Sequence, residues 1–136
     1  MRLLIDANII LDVLQKREPH YVDSAKVWKL CETGKAEGFV SVLPFAEIVY
    51  IMRKELTPDS IDDVMKKLSL IFQFADVRES DLRDAVGMKW DDYEDALQAV
   101  TAARIGADYI ITRNVKDYKL SKVMALMPNE FLTRIQ

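Results

Sequence analysis

Leu3-Leu4-Ile5-Asp6-Ala7-Asn8 opens the chain with a short apolar run that ends on a carboxylate. An apolar run of this length, bounded by a polar residue, reads as a buried strand. The carboxylate that closes it then stands at the carboxyl edge of a sheet, where open α/β sheets collect their chemistry. Three more carboxylates occupy similarly unusual places, Glu47, Asp95 and Asp117. The fold decides whether they meet Asp6.

Short apolar runs and helical patterns alternate along the rest of the chain. Strands are predicted at 2–6, 39–42, 74–77 and 109–112, with a last short one at 123–127. The helical patterns span 8–16, 21–33, 44–55, 59–72, 80–88 and 92–105, and Pro128 and Asn129 precede a terminal turn or helix. Gly34 and Gly106 read as helix stops. Pro58 suits the first turn of its helix, where a missing N–H costs nothing. Ile61, Val64, Met65, Leu68 and Ile71 share one face of that helix. Strands separated by helices imply a parallel sheet covered on both faces. Right-handed crossovers restrict the topology, but the strand order does not follow from these patterns.

The 136 residues fit a single domain spanning 1–136. Half the chain is apolar and the net charge is -3, so a polyanion partner requires a local basic patch or a bound cation. Cys31 is the only cysteine, which excludes an intrachain disulfide and suits a reducing compartment. No signal peptide or bilayer-spanning stretch is discernible. A cytoplasmic location without membrane association is expected.

Glu47 is the only charge in Val42–Met52. Such a carboxylate is expected to be paired, protonated, cation-bound or placed in the first turn of a helix, because an unpaired buried charge costs several kcal/mol. Asp95 belongs to the run Asp91-Asp92-Tyr93-Glu94-Asp95. A capping box accounts for two of these acids. Crowding of four is tolerable chiefly where a cation compensates. Thr112-Arg113-Asn114-Val115-Lys116-Asp117 follows the clearest strand and shares the sheet edge with Asp6 if the two strands are neighbours. Oxygen ligands without His or Cys select hard cations, Mg²⁺ or Mn²⁺. His20 is the only histidine, which excludes a multi-histidine zinc site and leaves a serine triad dependent on a residue beside Pro19. Arg113, Lys116, Lys119 and Lys122 form an electropositive stretch suited to a phosphodiester backbone, or to plain solvation.

With these segments the chain resembles the PIN-domain ribonucleases, in particular the small VapC-type toxins of toxin–antitoxin pairs. The matching residues are Leu3 to Asn8, Arg17-Glu18-Pro19, Ser41 with Glu47 and Ile48, Asp92 to Ala99, and Ala107 to Asn114 with Asp117-Tyr118. The resemblance implies a three-layer α/β/α fold around a five-stranded parallel sheet of order 3-2-1-4-5. It implies Mg²⁺- or Mn²⁺-dependent endonucleolytic hydrolysis of RNA. Asp6, Glu47 and Asp95 correspond to the catalytic, metal-binding acids. The fourth acid stands in some members where this chain has Asn114 and in others where it has Asp117. Asn8, Ser41, Asp92, Thr112 and Asn114 are expected in supporting roles. A cognate antitoxin and a homodimer, with helix 59–72 as one possible face, are the implied protein partners.

Other readings use the same strand-end aspartate. A receiver-type phosphotransfer domain needs a phospho-accepting Asp after its third strand, whereas Asp76 is expected inside it. A haloacid-dehalogenase-like phosphatase needs Asp-x-Asp, and the chain has Asp6-Ala7-Asn8. A catalytically weak module binding RNA or protein is the remaining alternative, and retention of all three central acids speaks against it.

Overall fold

The computed structural model describes residues 1–136. Five parallel strands, β1 (Arg2–Ile5), β2 (Glu37–Ser41), β3 (Phe72–Ala75), β4 (Tyr109–Ile111) and β5 (Met124–Leu126), form one sheet in the order β3-β2-β1-β4-β5. The helices are α1 (Ala7–Leu14), α2 (Tyr21–Glu32), α3 (Val42–Met52), α4 (Pro58–Ile71), α5 (Glu79–Met88), α6 (Tyr93–Arg104) and α7 (Pro128–Arg134). A 3₁₀ turn covers Val115–Tyr118.

Alternation along β1 sorts the helices into two layers, because successive side chains of a strand point to opposite faces. Leu3 and Ile5 join the core made with α1, α2, α3, α4 and α7. Leu4 joins Ala99, Ala102 and Ile110 on the other face, where α6 packs and carries α5 with it. The result is the expected α/β/α sandwich. Strand order reverses between β1 and β4, where Ile5 pairs with Ile111. Such a switch point opens a crevice at the carboxyl ends of the strands.

The helix termini follow local chemistry. Thr57 caps α4 by accepting from the Ser60 N–H at 3.2 Å, with Pro58 in the first turn. Gly34 and Gly106 end α2 and α6 at φ +76° and +69°, a conformation glycine adopts without steric cost. Lys16 and Lys89 hold positive φ as well, +49° and +58°, at the ends of α1 and α5.

Several boundaries differ from the sequence expectation. β3 starts at Phe72, directly after α4, rather than at 74. Phe72 is fixed there by its register opposite Gly38 and by an edge-on contact with Trp28 at 5.1 Å. Asp76 therefore lies just past β3, not inside it, and forms ion pairs with Arg78 and Arg104. The receiver reading fails instead on topology, since that fold orders its strands 2-1-3-4-5. Leu68 of α4 is buried in the core and Ile61, Val64, Met65 and Ile71 pack against it, while Leu70 stays 88% exposed.

Gly38 marks the tightest backbone approach in the sheet. A Cβ there would lie 2.7 Å from both Cys31 Sγ and Phe72 Cδ1. Cys31 is buried, and burial pushes its thiol up to about 11, so it acts as a small apolar filler. Gly38→Ala is expected to destabilise the protein by about 1–3 kcal/mol through overpacking, measurable as a lower denaturant midpoint at unchanged m-value.

Candidate active site

Asp6 serves two elements at once. It is the N-cap of α1, with Oδ1 accepting the Asn8 N–H at 3.1 Å. Its Oδ2 accepts from Thr112 Oγ1 at 2.9 Å, across 106 positions of sequence. Thr112 is fully buried at the end of β4 and accepts the Asn114 N–H at 3.1 Å. One hydroxyl thus ties the ends of β1 and β4 together and starts the loop that carries Asp117. The Asn8 and Asn114 side chains are exposed beside this pair.

Asp95 lies in the first turn of α6. Its N–H donates to Asp92 Oδ1 at 3.0 Å, so Asp92 is the helix cap. Its own Oδ1 accepts from the Tyr118 hydroxyl at 3.2 Å. Burial raises the Asp95 pKa, and Asp92, Asp117 and Asp6 add to that rise against the Tyr118 hydrogen bond. Tyr118 is itself buried, and its phenol is shifted far upward by burial and by Asp95, so it stays a hydrogen-bond donor.

Glu94 belongs to the same field and is the residue that sequence reasoning missed. The residue as a whole is exposed, but partial burial of its carboxyl raises its pKa, and Glu47, Asp92, Asp95 and Asp6 add to the rise. Glu47 lies close enough to Glu94 for its charge to add to that rise. The signal was present in the acidic run 91–95, but capping logic does not distinguish position 94 from its neighbours.

Glu47 is placed differently from expectation. α3 begins at Val42, so Glu47 is beyond the first turn, and it is exposed rather than buried. Its helix is uncharged for another reason: Val42, Leu43, Tyr50 and Ile51 are solvent-exposed apolar residues. Ser41 is buried at the end of β2, and its hydroxyl makes no capping bond to α3.

The basic residues separate into two groups. Arg113 turns away from the carboxylates and pairs with the fully buried Asp12 of α1, Nε to Oδ2 3.2 Å. Lys116 and Lys119 line a cavity together with Asp92, Asp95 and Asp117. Lys122 lines a neighbouring cavity, and another hollow holds Lys116, Lys119 and Lys122 together.

The donor set is all oxygen and suits a hard cation. Burial first and mutual repulsion second raise Glu94 and Asp95, and a cation relieves the repulsive part. No three of the carboxylates converge on one point in the side-chain positions of the structure, so binding requires rotamer changes. Glu47, Glu94 and Asp117 are exposed side chains free to make them.

The fold is shared with several solved proteins. VapBC-1 from nontypeable Haemophilus influenzae superposes with a TM-score of 0.71 at 15% identity, over 95% of this chain and 99% of that one. VapBC2 from Rickettsia felis, solved bound to a DNA fragment from its promoter, gives 0.69 at 15% identity, over 93% and 98%. FitAcB from Neisseria gonorrhoeae gives 0.66 at 17% identity, over 93% and 97%. Sequence comparison with curated proteins finds no match. The PIN domain model matches residues 2–116, most of the chain and every carboxylate of the cluster except Asp117, and the chain belongs to the PIN-domain family.

Proposed function

We propose that this protein is a metal-dependent endoribonuclease, the toxin of a toxin–antitoxin pair. The observation that carries this reading is the cluster itself. Asp6 is held by Thr112, Asp95 is held by Tyr118, and both lie in one field with Glu94, Asp117 and Glu47 at the switch point of the sheet. Asp6, Glu47, Asp95 and Asp117 would hold one or two Mg²⁺ or Mn²⁺ ions, with Glu94 beside them. When bound, such an ion supplies Lewis-acid polarisation of a phosphate oxygen and activation of water. Between the two placements of the fourth acid, Asp117 is favoured, because its charge reaches Asp95 and Tyr118.

The chain's own residues orient the acids. Thr112 holds Oδ2 of Asp6 while the Asn8 N–H holds Oδ1, which fixes the orientation of the carboxylate. Tyr118 fixes Asp95 in the same way. Asp92 serves as the cap that sets the start of α6, and Asn8, Ser41 and Asn114 supply further polar groups at the edge.

The proposed partners are RNA, a cognate antitoxin and a second copy of the chain. A toxin–antitoxin complex from Klebsiella pneumoniae that shares the fold supports the antitoxin. The exposed apolar residues of α3 provide surface for a protein assembly to cover. No helix is long and apolar enough to cross a membrane, and a cytoplasmic setting is proposed with the toxin role.

A mixed RNA pool incubated with Mg²⁺ or Mn²⁺ is expected to be cut, and EDTA to stop the cutting. The same metals are expected to raise the melting temperature, by about 2.7 kcal/mol of added stability at a hundred times the dissociation constant. RNA left intact with either metal, together with no thermal shift at millimolar concentration, would discard the nuclease reading.

A further inference from the structure

We infer that the cavity beside Asp95 is a nucleotide subsite, in which the base of an unpaired RNA residue stacks on Trp90 and its phosphate lies among Lys89, Lys116 and Lys119. The inference rests on the ribonuclease reading above and specifies where the strand lies next to the acids. The cavity measures about 520 Å³, within the range of about 300–1,000 Å³ typical of ligand pockets. Asp91, Asp92, Asp95 and Asp117 form its acidic lining, and the rest is Met88, Lys89, Trp90, Lys116, Lys119 and Leu120. A strand in the cavity is therefore in contact with the carboxylate cluster itself.

The aromatic surface is built into the site. The Trp90 ring meets Tyr118 edge-on, with centroids 6.3 Å apart and planes at 76°. Tyr118 in turn donates to Asp95. Trp90 is thus one side chain removed from a site carboxylate, and it remains partly exposed while its edge contact is satisfied. Leu120, 79% exposed, continues the apolar surface. Base–aromatic stacking tolerates any base, and unpaired RNA is the form in which bases are free to stack.

The lysines are uncommitted. Lys29 and Lys66 are the only lysines of the chain in ion pairs. Lys89, Lys116 and Lys119 pair with none, although carboxylates line the same cavity. Lys89 also occupies a left-handed backbone position, φ +58°, that glycine fills at lower cost. Replacing Lys89 by glycine therefore removes a cavity charge while relieving backbone strain.

Binding of a short unstructured RNA tests this, followed by tryptophan fluorescence with Ca²⁺ replacing Mg²⁺ and across a salt series. Trp28 and Trp90 are the only tryptophans, and Trp28 packs against Phe72. RNA is expected to quench the wild type and Trp28→Phe but not Trp90→Phe. Trp90→Leu should bind about 5- to 150-fold more weakly, the effect of losing one stacked base. Lys89→Gly should bind several-fold more weakly with a log–log salt slope shallower by about 0.7, yet melt at a higher temperature. Lys16→Gly relieves the same backbone strain away from the cavity, so it should raise the melting temperature and keep wild-type RNA affinity. Quenching that survives in Trp90→Phe, or unchanged RNA affinity in Lys89→Gly, overturns the subsite; metal-dependent cleavage by the same preparations leaves the ribonuclease reading standing. A wild-type protein that neither binds nor cuts RNA overturns both.

Discussion

Asp95→Asn is expected to slow metal-dependent RNA cleavage by about 10³-fold while leaving the protein folded. A cation at a phosphate contributes several kcal/mol to transition-state stabilisation, and each 1.36 kcal/mol is a factor of ten in rate. Removing a carboxylate from the centre of the donor set forfeits much of that. The fold loses little, for three local reasons. Asparagine keeps an oxygen for the Tyr118 hydroxyl, which approaches to 3.2 Å in the wild type. The bond that caps α6 runs from the backbone N–H of position 95 to Asp92, so it survives the change. Repulsion from Asp92, Asp117 and Asp6, which raises the Asp95 pKa, disappears with the charge. Single-turnover cleavage at saturating Mg²⁺, beside a melting curve, separates the two effects. D95N cutting at the wild-type rate would remove Asp95 from the site; D95N failing to fold would show that its role is structural.

Arg113→Met is expected to cost about 3 kcal/mol of stability, toward the lower end of the range for breaking a buried ion pair because the Arg113 side chain is 27% exposed. Asp12 is 0% exposed, and neither of its oxygens has a hydrogen-bond partner in the structure. The Arg113 guanidinium is its closest compensation. Burial already raises the Asp12 pKa above 3.8, against the opposing pull of Arg113, His20, Arg17 and Ser24. A carboxyl whose folded pKa is raised favours the folded state most at low pH. That contribution is complete below 3.8 and is lost as pH rises through the folded value. Without Arg113 the folded value climbs further, so R113M should lose stability over a wider range of pH above 3.8 than the wild type does. Pairing the change with Asp12→Leu should recover most of the loss, because an apolar side chain needs no partner. Urea midpoints across pH for the two single variants and the double variant form the test. An R113M protein as stable as the wild type at neutral pH would mean the pair carries no weight. The same pair explains why Arg113 is poorly placed as an RNA-backbone contact. It anchors the loop after β4 onto α1, the two elements that meet at Asp6.

The element pattern was largely legible because it depends on neighbours in sequence. Short runs rich in apolar residues marked the strands, and Gly34, Gly106 and Pro58 marked helix ends through backbone geometry alone. Edges were harder. The register of Phe72 opposite Gly38 is settled by a distant strand and by Trp28, so β3 starts two residues before its predicted position. Glu47 stood out for a mistaken reason. A run of apolar residues looks buried on paper, and only the packing of α3 shows that Val42, Leu43 and Tyr50 face solvent beside it.

The alternation of strands and helices, the strand-end position of Asp6 and the crowding of acids around Asp95 are written in short stretches of the chain. Each of these is a property of a few consecutive residues, set by side-chain period, capping and charge. Tertiary structure alone decided that Thr112 would reach Asp6, that Tyr118 would reach Asp95, that Glu94 would join the acids, and that Arg113 would turn to Asp12 while Lys116 and Lys119 stayed free beside the carboxylates. Those contacts join residues far apart in the chain. Their geometry follows from strand order, register and helix packing, which the whole core determines together and no local segment encodes.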